Sequence, residues 1–137
     1  MSNISKSVLA GIIGTAVMTM VMFIAPMMGM PKMSPPEMLA AMMSVPVSLG
    51  WAMHFMIGII FALGYVYLFA PRVKTQNLFV KGAIFGFAAF IFAQIIMAVM
   101  GMFLPIPEME GSMLAMIIGS ILGHVVYGIT VAKIINQ

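Results

Sequence analysis

The chain has 137 residues, of which 64% are hydrophobic and 7% are charged, and its mean hydropathy is +1.19. These few polar side chains cannot cover the surface of a soluble globule of this size. The composition therefore predicts a membrane protein. The net charge of +3 then indicates topology and contact with anionic lipid headgroups, and we expect no nucleic-acid binding. The absence of cysteine excludes disulfides and thiolate metal ligands.

Four long stretches of the chain contain no Asp, Glu, Lys or Arg. They lie between Lys6 and Lys32, Glu37 and Arg72, Lys81 and Glu108, and Glu110 and Lys133. About 20 apolar residues are enough to cross a hydrocarbon core in a helix. We therefore predict spanning helices over residues 8–30, 45–69, 82–104 and 113–135, because the runs show no apolar and polar alternation of the kind a barrel needs.

The first apolar run follows a single positive charge, Lys6, and is too long for the apolar region of a signal peptide. We expect it to remain as the first span. Between the first and second spans, Ser34-Pro35-Pro36-Glu37 fits a capping box with proline at the first helical positions. This pattern predicts a short helix over residues 35–43 at the outer surface.

The basic residues lie almost entirely on one side of this four-span arrangement. On that side are Lys6, Arg72, Lys74, Lys81 and Lys133, and only Lys32 lies on the other. Short loops rich in Lys and Arg stay in the cytoplasm. We therefore expect a multi-pass protein of the bacterial inner membrane with both termini in the cytoplasm.

The second and fourth spans share a His-x-x-x-Gly pattern, His54 to Gly58 and His124 to Gly128, and the spans before them match at Gly11 and Gly82. This similarity predicts one membrane domain, residues 1–137, built from two repeats of about residues 6–70 and 78–135. The fold expected is an all-α integral membrane four-helix bundle of two tandem hairpins, related by a pseudo-two-fold axis along the membrane normal.

Three stretches resemble a known family. They are Gly29-Met-Pro-Lys-Met-Ser-Pro-Pro-Glu-Met38, Gly50-Trp-Ala-Met-His-Phe-Met-Ile-Gly58 and Gly119-Ser-Ile-Leu-Gly-His-Val-Val-Tyr-Gly128. Together they are similar to small four-span bacterial inner-membrane proteins that share a domain of unknown function. The resemblance covers most of the chain and implies the four-span fold, but it implies no activity, ligand or site.

His54 and His124 are the chain's two histidines, and an ionisable side chain inside a bilayer is a candidate functional residue. Small residues lie four positions to either side of each ring: Gly50, Gly58, Ser120 and Gly128. Such a groove allows either close helix packing or a compact ligand beside the imidazole. A purely structural role, in which each ring bonds to a neighbouring helix, is the alternative.

Methionine supplies a second argument for a ligand. The chain has 19 methionines, concentrated toward the predicted outer half of the spans, and three pairs have the spacing of one helical face: Met18/Met22, Met38/Met42 and Met109/Met113. Neutral thioether sulfur suits Cu(I). We therefore predict a copper site with the ligands His54, His124, Met18, Met22, Met53 and Met116. The alternative for methionine is a flexible core filler.

A bis-histidine haem b is the competing cofactor, because two histidines at equal depth are its usual axial ligands in a membrane bundle and the flanking glycines would leave room for the porphyrin. Against haem, Lys32 is the single basic residue available near the outer surface for the propionates. A scaffold subunit without a ligand is the third possibility.

Catalysis is not expected, since the three carboxylates lie in outer loops and the sequence has no recognisable catalytic pattern. We expect Thr15, Thr19 and Gln94 to hold helices together. Gly11/Gly14 and Gly82/Gly86 offer small-residue faces for packing within the bundle or in a homo-oligomer. Further partners expected are the lipid bilayer and a membrane redox protein.

Overall fold

The computed structural model describes residues 1–108 and 110–136, and this part of the chain is helical without a strand. Helix α1 is Asn3–Ile24 and continues as a 3₁₀ turn, Ala25–Met28. Helix α2 is Pro35–Met43. Helix α3 is Val47–Gly64 and continues as a π-helical turn, Tyr65–Phe69. Helices α4 and α5 are Leu78–Gly101 and Met113–Ile135.

In the described residues four helices, α1, α3, α4 and α5, are long and apolar enough to cross a membrane, which confirms the four predicted spans. The chain is a multi-pass membrane protein with a helical-bundle fold. Two spans begin earlier than predicted because polar residues cap them. The hydroxyl of Ser2 accepts the N–H of Ser5, and the carboxamide of Asn77 accepts the N–H groups of Phe79 and Val80.

The short helix α2 has the predicted bounds, but the predicted capping box is wrong. The Ser34 hydroxyl is buried and makes no hydrogen bond to the helix. The Glu37 carboxylate does not turn back to Ser34, and lies instead 4.0 Å from the Lys32 ammonium. Proline at the first helical positions therefore starts α2, since its fixed φ suits a helix and its missing N–H needs no cap.

The four spanning helices pack side by side in the order α3, α1, α5, α4. Helices α1 and α5 form the centre, and α3 and α4 flank them on opposite sides. The extra helix α2 packs on α3. Helices α3 and α4 are not closely packed against each other, so a space lies between them. They touch through the aromatic pairs Phe61 with Phe92 and Phe69, of the turn after α3, with Phe85.

Glycines bring the two spans of each hairpin, α1 with α3 and α4 with α5, into backbone contact. A Cβ at Gly11 would lie 2.6 Å from the Cα of Ile59 on α3, and a Cβ at Gly82 would lie 2.5 Å from the Cα of Ile129 on α5. Gly14 packs against Tyr127, and Gly86 packs against the backbone of α5. The small-residue faces that the sequence offered for oligomerisation are thus used inside the bundle.

Both described chain ends and the loop between α3 and α4 lie at one end of the bundle, which we call the basic end. There the Lys6 ammonium donates to the carbonyl of Ile135, and the Lys133 ammonium lies 3.9 Å from the ring centre of Phe79. Helix α2 and the loop before α5 lie at the opposite end, which we call the α2 end. The basic side chains are therefore grouped at the basic end, and Lys32 alone lies at the α2 end, as expected from the sequence.

The glycine contacts generate a prediction about stability. We expect Gly82→Ala to destabilise the bundle by about 1–3 kcal/mol, because the new Cβ must push backbone away from backbone. Gly64→Ala is the matched control, since a Cβ there meets nothing within 4 Å. Unfolding in mixed micelles of sodium dodecyl sulfate and a mild detergent measures both. Equal unfolding midpoints for the two variants would contradict the proposed packing role.

Candidate functional site

A cavity of about 140 Å³ lies between the two hairpins, and all five helices contribute to its lining. Both histidines line it, as do five methionines among the described residues. The side chains used below are Thr15, Met18, Met22, Met33, Met38, His54, Gln94, Met97, Ser120, His124 and Tyr127. The folded chain thus brings the two predicted imidazoles to one shared space.

His54, on α3, is 8% exposed and is held by α1. Its Nε2 lies 3.1 Å from the Thr19 hydroxyl oxygen, and the Thr19 hydroxyl lies 2.7 Å from the carbonyl of Thr15, to which it donates. Because a hydroxyl has one proton, Thr19 accepts the Nε2–H of His54. This assignment leaves the lone pair of His54 on Nδ1.

His124, on α5, is held by its own helix. Its Nδ1–H donates to the carbonyl of Ser120 at 2.8 Å, and the ring of Phe90 packs edge-on against it with 5.9 Å between ring centres. The lone pair of neutral His124 therefore lies on Nε2. A histidine whose second N–H is fixed by a backbone carbonyl is the usual arrangement of a metal ligand.

The thioethers around the two rings come from separate elements. Met18 and Met22 are buried on α1, Met33 and Met38 come from the segment around the start of α2, and Met97 comes from α4. Among the described lining residues none carries a carboxylate or an ammonium. Every nitrogen and sulfur donor available in the cavity is therefore neutral.

Methionine also fills space beside the glycines of α5. A Cβ at Gly123 would lie 3.1 Å from the Met22 sulfur, and one at Gly119 would lie 3.3 Å from the Met33 sulfur. Flexible side chains suit such irregular gaps. The filler role and the donor role of these methionines are therefore compatible.

Four residues of the predicted site do not line the cavity. Gly50 packs against Pro36 and Ala40 of α2, and Gly128 packs against Gly82 and Gly86 of α4, so both serve close helix packing. Met53, next to His54 on the helix, is directed away from the cavity by the helical turn. Met116 lies toward the α2 end. Met109 lies outside the described residues.

Met116 instead lines a larger open space of about 940 Å³ at the α2 end, which we call the mouth. The mouth adjoins the cavity. The two spaces share the lining residues Met33, Pro35, Met38, Gln94, Met97 and Ser120.

The three polar residues expected to tie helices together behave differently. Thr19 does so through His54. Thr15 is 1% exposed and lines the cavity, but its hydroxyl has no hydrogen-bond partner among the described residues. Gln94 is exposed toward the cavity and the mouth.

Tyr127 was not identified as a site residue from the sequence. Its hydroxyl donates to the carbonyl of Gly58, and its position three residues after His124 offered a signal.

Within residues 1–108 and 110–136, no group of three His, Cys, Asp or Glu side chains is placed to hold a metal ion. A metal in the cavity would therefore need the thioethers in addition to the two histidines.

Neither the comparison with curated proteins nor the comparison with solved structures gives a match. The comparison with protein families does give one: residues 1–137 match the family described as "Family of unknown function (DUF6789)". This match covers the whole chain and confirms the resemblance to a domain of unknown function. The chain belongs to this family.

Proposed function

We propose that the protein binds Cu(I) between His54 and His124, with thioether sulfur completing the coordination, and that it serves in copper handling or electron transfer at the membrane. The observation that supports this proposal is the shared cavity, which two imidazoles and five methionines line among the described residues. The proposed role is binding, and no catalytic step is assigned to the chain.

The donor chemistry supports copper over harder metals. Thioether sulfur is a soft ligand that favours Cu(I), and imidazole also binds copper well. Mg²⁺ and Ca²⁺ prefer oxygen ligands, above all carboxylates. No described residue that lines this cavity carries a carboxylate. The fixed tautomers further support ligation, because Nε2 of His124 and Nδ1 of His54 keep their lone pairs free of protein donors.

The size of the cavity favours a metal ion over haem. Pockets for drug-sized ligands and cofactors have volumes of about 300–1,000 Å³, whereas this one has about 140 Å³. Lys32, the basic residue nearest to where propionates would emerge, is 73% exposed and lies beside Glu37. A porphyrin would therefore have to extend from the cavity into the mouth, where Lys32 is the one basic side chain among the described lining residues.

We also propose that the two hairpins arose as tandem repeats related by a pseudo-two-fold axis. Gly11 and Gly82 support this because their added Cβ atoms would meet equivalent atoms: the Cα and N of Ile59 and the carbonyl of Gly58 in one case, and the Cα and N of Ile129 and the carbonyl of Gly128 in the other. The histidines would then occupy equivalent positions, one contributed by each hairpin.

The copper site generates the second prediction. Purified protein in lipid nanodiscs, titrated with Cu(I) under anaerobic reducing conditions against a chromogenic chelator, should bind about one equivalent by the proposed stoichiometry of one site per chain. The double variant His54→Ala/His124→Ala should bind none in this range, because thioethers alone would remain.

Met53→Leu is the control for this titration, since Met53 does not line the cavity. Unchanged copper content in the double histidine variant would refute the copper site. If the double variant folds normally and the parent protein binds no copper, a scaffold role is supported instead.

The thioethers are tested separately. We expect Met18→Leu/Met22→Leu to weaken Cu(I) binding by about tenfold or more, equivalent to about 1.4 kcal/mol, because the change removes sulfur while nearly conserving volume. Met42→Leu replaces an equally buried methionine that does not line the cavity and should leave the affinity unchanged. Equal affinities in all three proteins would show that the sulfurs of Met18 and Met22 are not ligands.

We propose that the basic end lies in the cytoplasm of a bacterial cell and the α2 end faces outward, following the rule for Lys and Arg. A fluorescent protein that folds in the cytoplasm should fluoresce when fused after residue 136. Alkaline phosphatase, which needs an oxidising compartment, should be active when inserted near Phe103 and inactive near Lys74. The reverse pattern would invert the assignment.

A further inference from the structure

The mouth collects the negative charge of the chain. Its lining includes Glu37, Glu108 and Glu110, which are all of the acidic residues in the sequence, and one basic residue, Lys32. Three carboxylates against one ammonium leave a net charge of −2 at the mouth. The remaining basic side chains belong to the opposite end, so the field across the bundle favours cations at the α2 end.

Two polar side chains that line the mouth or the cavity require water or another polar occupant there. Gln94 is exposed within the spanning helix α4, and an exposed carboxamide in hydrocarbon is costly unless it faces an aqueous space. Thr15 is 1% exposed and has an unpartnered hydroxyl in the cavity. An unpartnered buried hydroxyl is normally satisfied by bound water or a ligand.

The space formed by the mouth and the cavity does not continue to the basic end. Below the cavity the rings of Tyr65, Phe69, Phe85 and Tyr127 pack together, with Tyr65 and Phe85 5.0 Å apart between ring centres. Tyr65 is 0% exposed and Tyr127 is 3% exposed. The Tyr65 hydroxyl accepts a hydrogen bond from the Asn136 carboxamide, which links this aromatic cluster to the end of α5.

We propose that the mouth and the cavity form one water-filled vestibule that admits cations from the α2 end and is closed at the basic end. Methionines lie along it from Met116 at the mouth, through Met33 and Met97, to Met18 in the cavity. The use of this vestibule to load Cu(I) rests on the function proposed above. The vestibule itself, and its preference for cations, do not depend on that function.

Cysteine accessibility tests the proposal, because the chain contains no cysteine and single-cysteine variants have no background. Gln94→Cys is compared with Ile95→Cys, the next residue on α4, which is 55% exposed but lines neither space. A membrane-impermeant methanethiosulfonate should label Gln94→Cys. It should leave Ile95→Cys unlabelled, since the thiolate is the reactive form and does not form in hydrocarbon.

Two exposed loop positions identify the sides without assuming an orientation. Met102→Cys marks the α2 end and Lys74→Cys marks the basic end. The reagent is added either to intact cells or to inverted membrane vesicles. We expect Gln94→Cys to react in the preparation in which Met102→Cys reacts. Reaction together with Lys74→Cys, or reaction no faster than that of Ile95→Cys, would overturn the proposal.

Charge selectivity is measured with a positively and a negatively charged reagent of the same class. At Gln94→Cys the cationic reagent should react about tenfold faster or more than the anionic one, after correction for their rates with a free thiol. Replacing the three carboxylates by Glu37→Gln, Glu108→Gln and Glu110→Gln should remove this preference and leave the sidedness unchanged. A preference that survives these replacements would overturn the electrostatic part.

These measurements use metal-free protein, so their outcome is separate from that of the copper titration. Labelling as expected without copper binding would uphold a cation-selective vestibule and refute only the copper site. Copper binding with an unreactive Gln94→Cys would uphold the site and refute the vestibule.

Discussion

Backbone contact through glycine is the constraint on which the rest of this structure depends. In lipid, helices gain little from burying apolar surface against each other, so close packing must supply the attraction. Gly11 brings α1 against α3, and Gly82 and Gly86 bring α4 against α5. Each hairpin therefore holds its histidine at a fixed depth and rotation, which a loosely packed pair of apolar helices would not do.

The two hairpins differ in the connection between their helices, and this difference produces the cavity. The first hairpin carries α2 between its spans, whereas the second has no helix in the described residues between Gly101 and Met113. Under the proposed two-fold relation, the contact of α1 with α5 would have a counterpart between α4 and α3. That side is instead open near the α2 end, where Pro35, Met38 and Leu39 of α2 line the cavity.

The spans and α2 could be predicted because length, charge and proline are properties of the linear sequence. The bounds of α5 agree with the prediction. Both histidines line one cavity, and the tandem repeats from which their proximity was expected stay a prediction. Which face of each helix points inward could not be predicted. Lipid and protein interior are equally apolar, so no polar stripe distinguishes Met18, which lines the cavity, from Met53, which does not. The bond of Thr19 to His54 and the contact of Gly50 with α2 depend on crossing geometry that the sequence leaves open.

The neutrality of the cavity restricts the charge of any ion that it holds. No described lining residue carries a fixed charge, so a bound ion would exchange its hydration shell for neutral donors with no countercharge beside it. In a dry medium the cost of this exchange is on the order of 20 kcal/mol for a monovalent ion, and water in the vestibule would lower it without removing it. Because this cost grows with the square of the charge, a divalent ion of equal size would meet a penalty about fourfold larger. Strong bonds from nitrogen and sulfur can offset the smaller penalty more readily, which favours Cu(I) over Cu²⁺ or Zn²⁺. The carboxylates then belong at the mouth, where they can attract a hydrated cation without competing for it in the cavity.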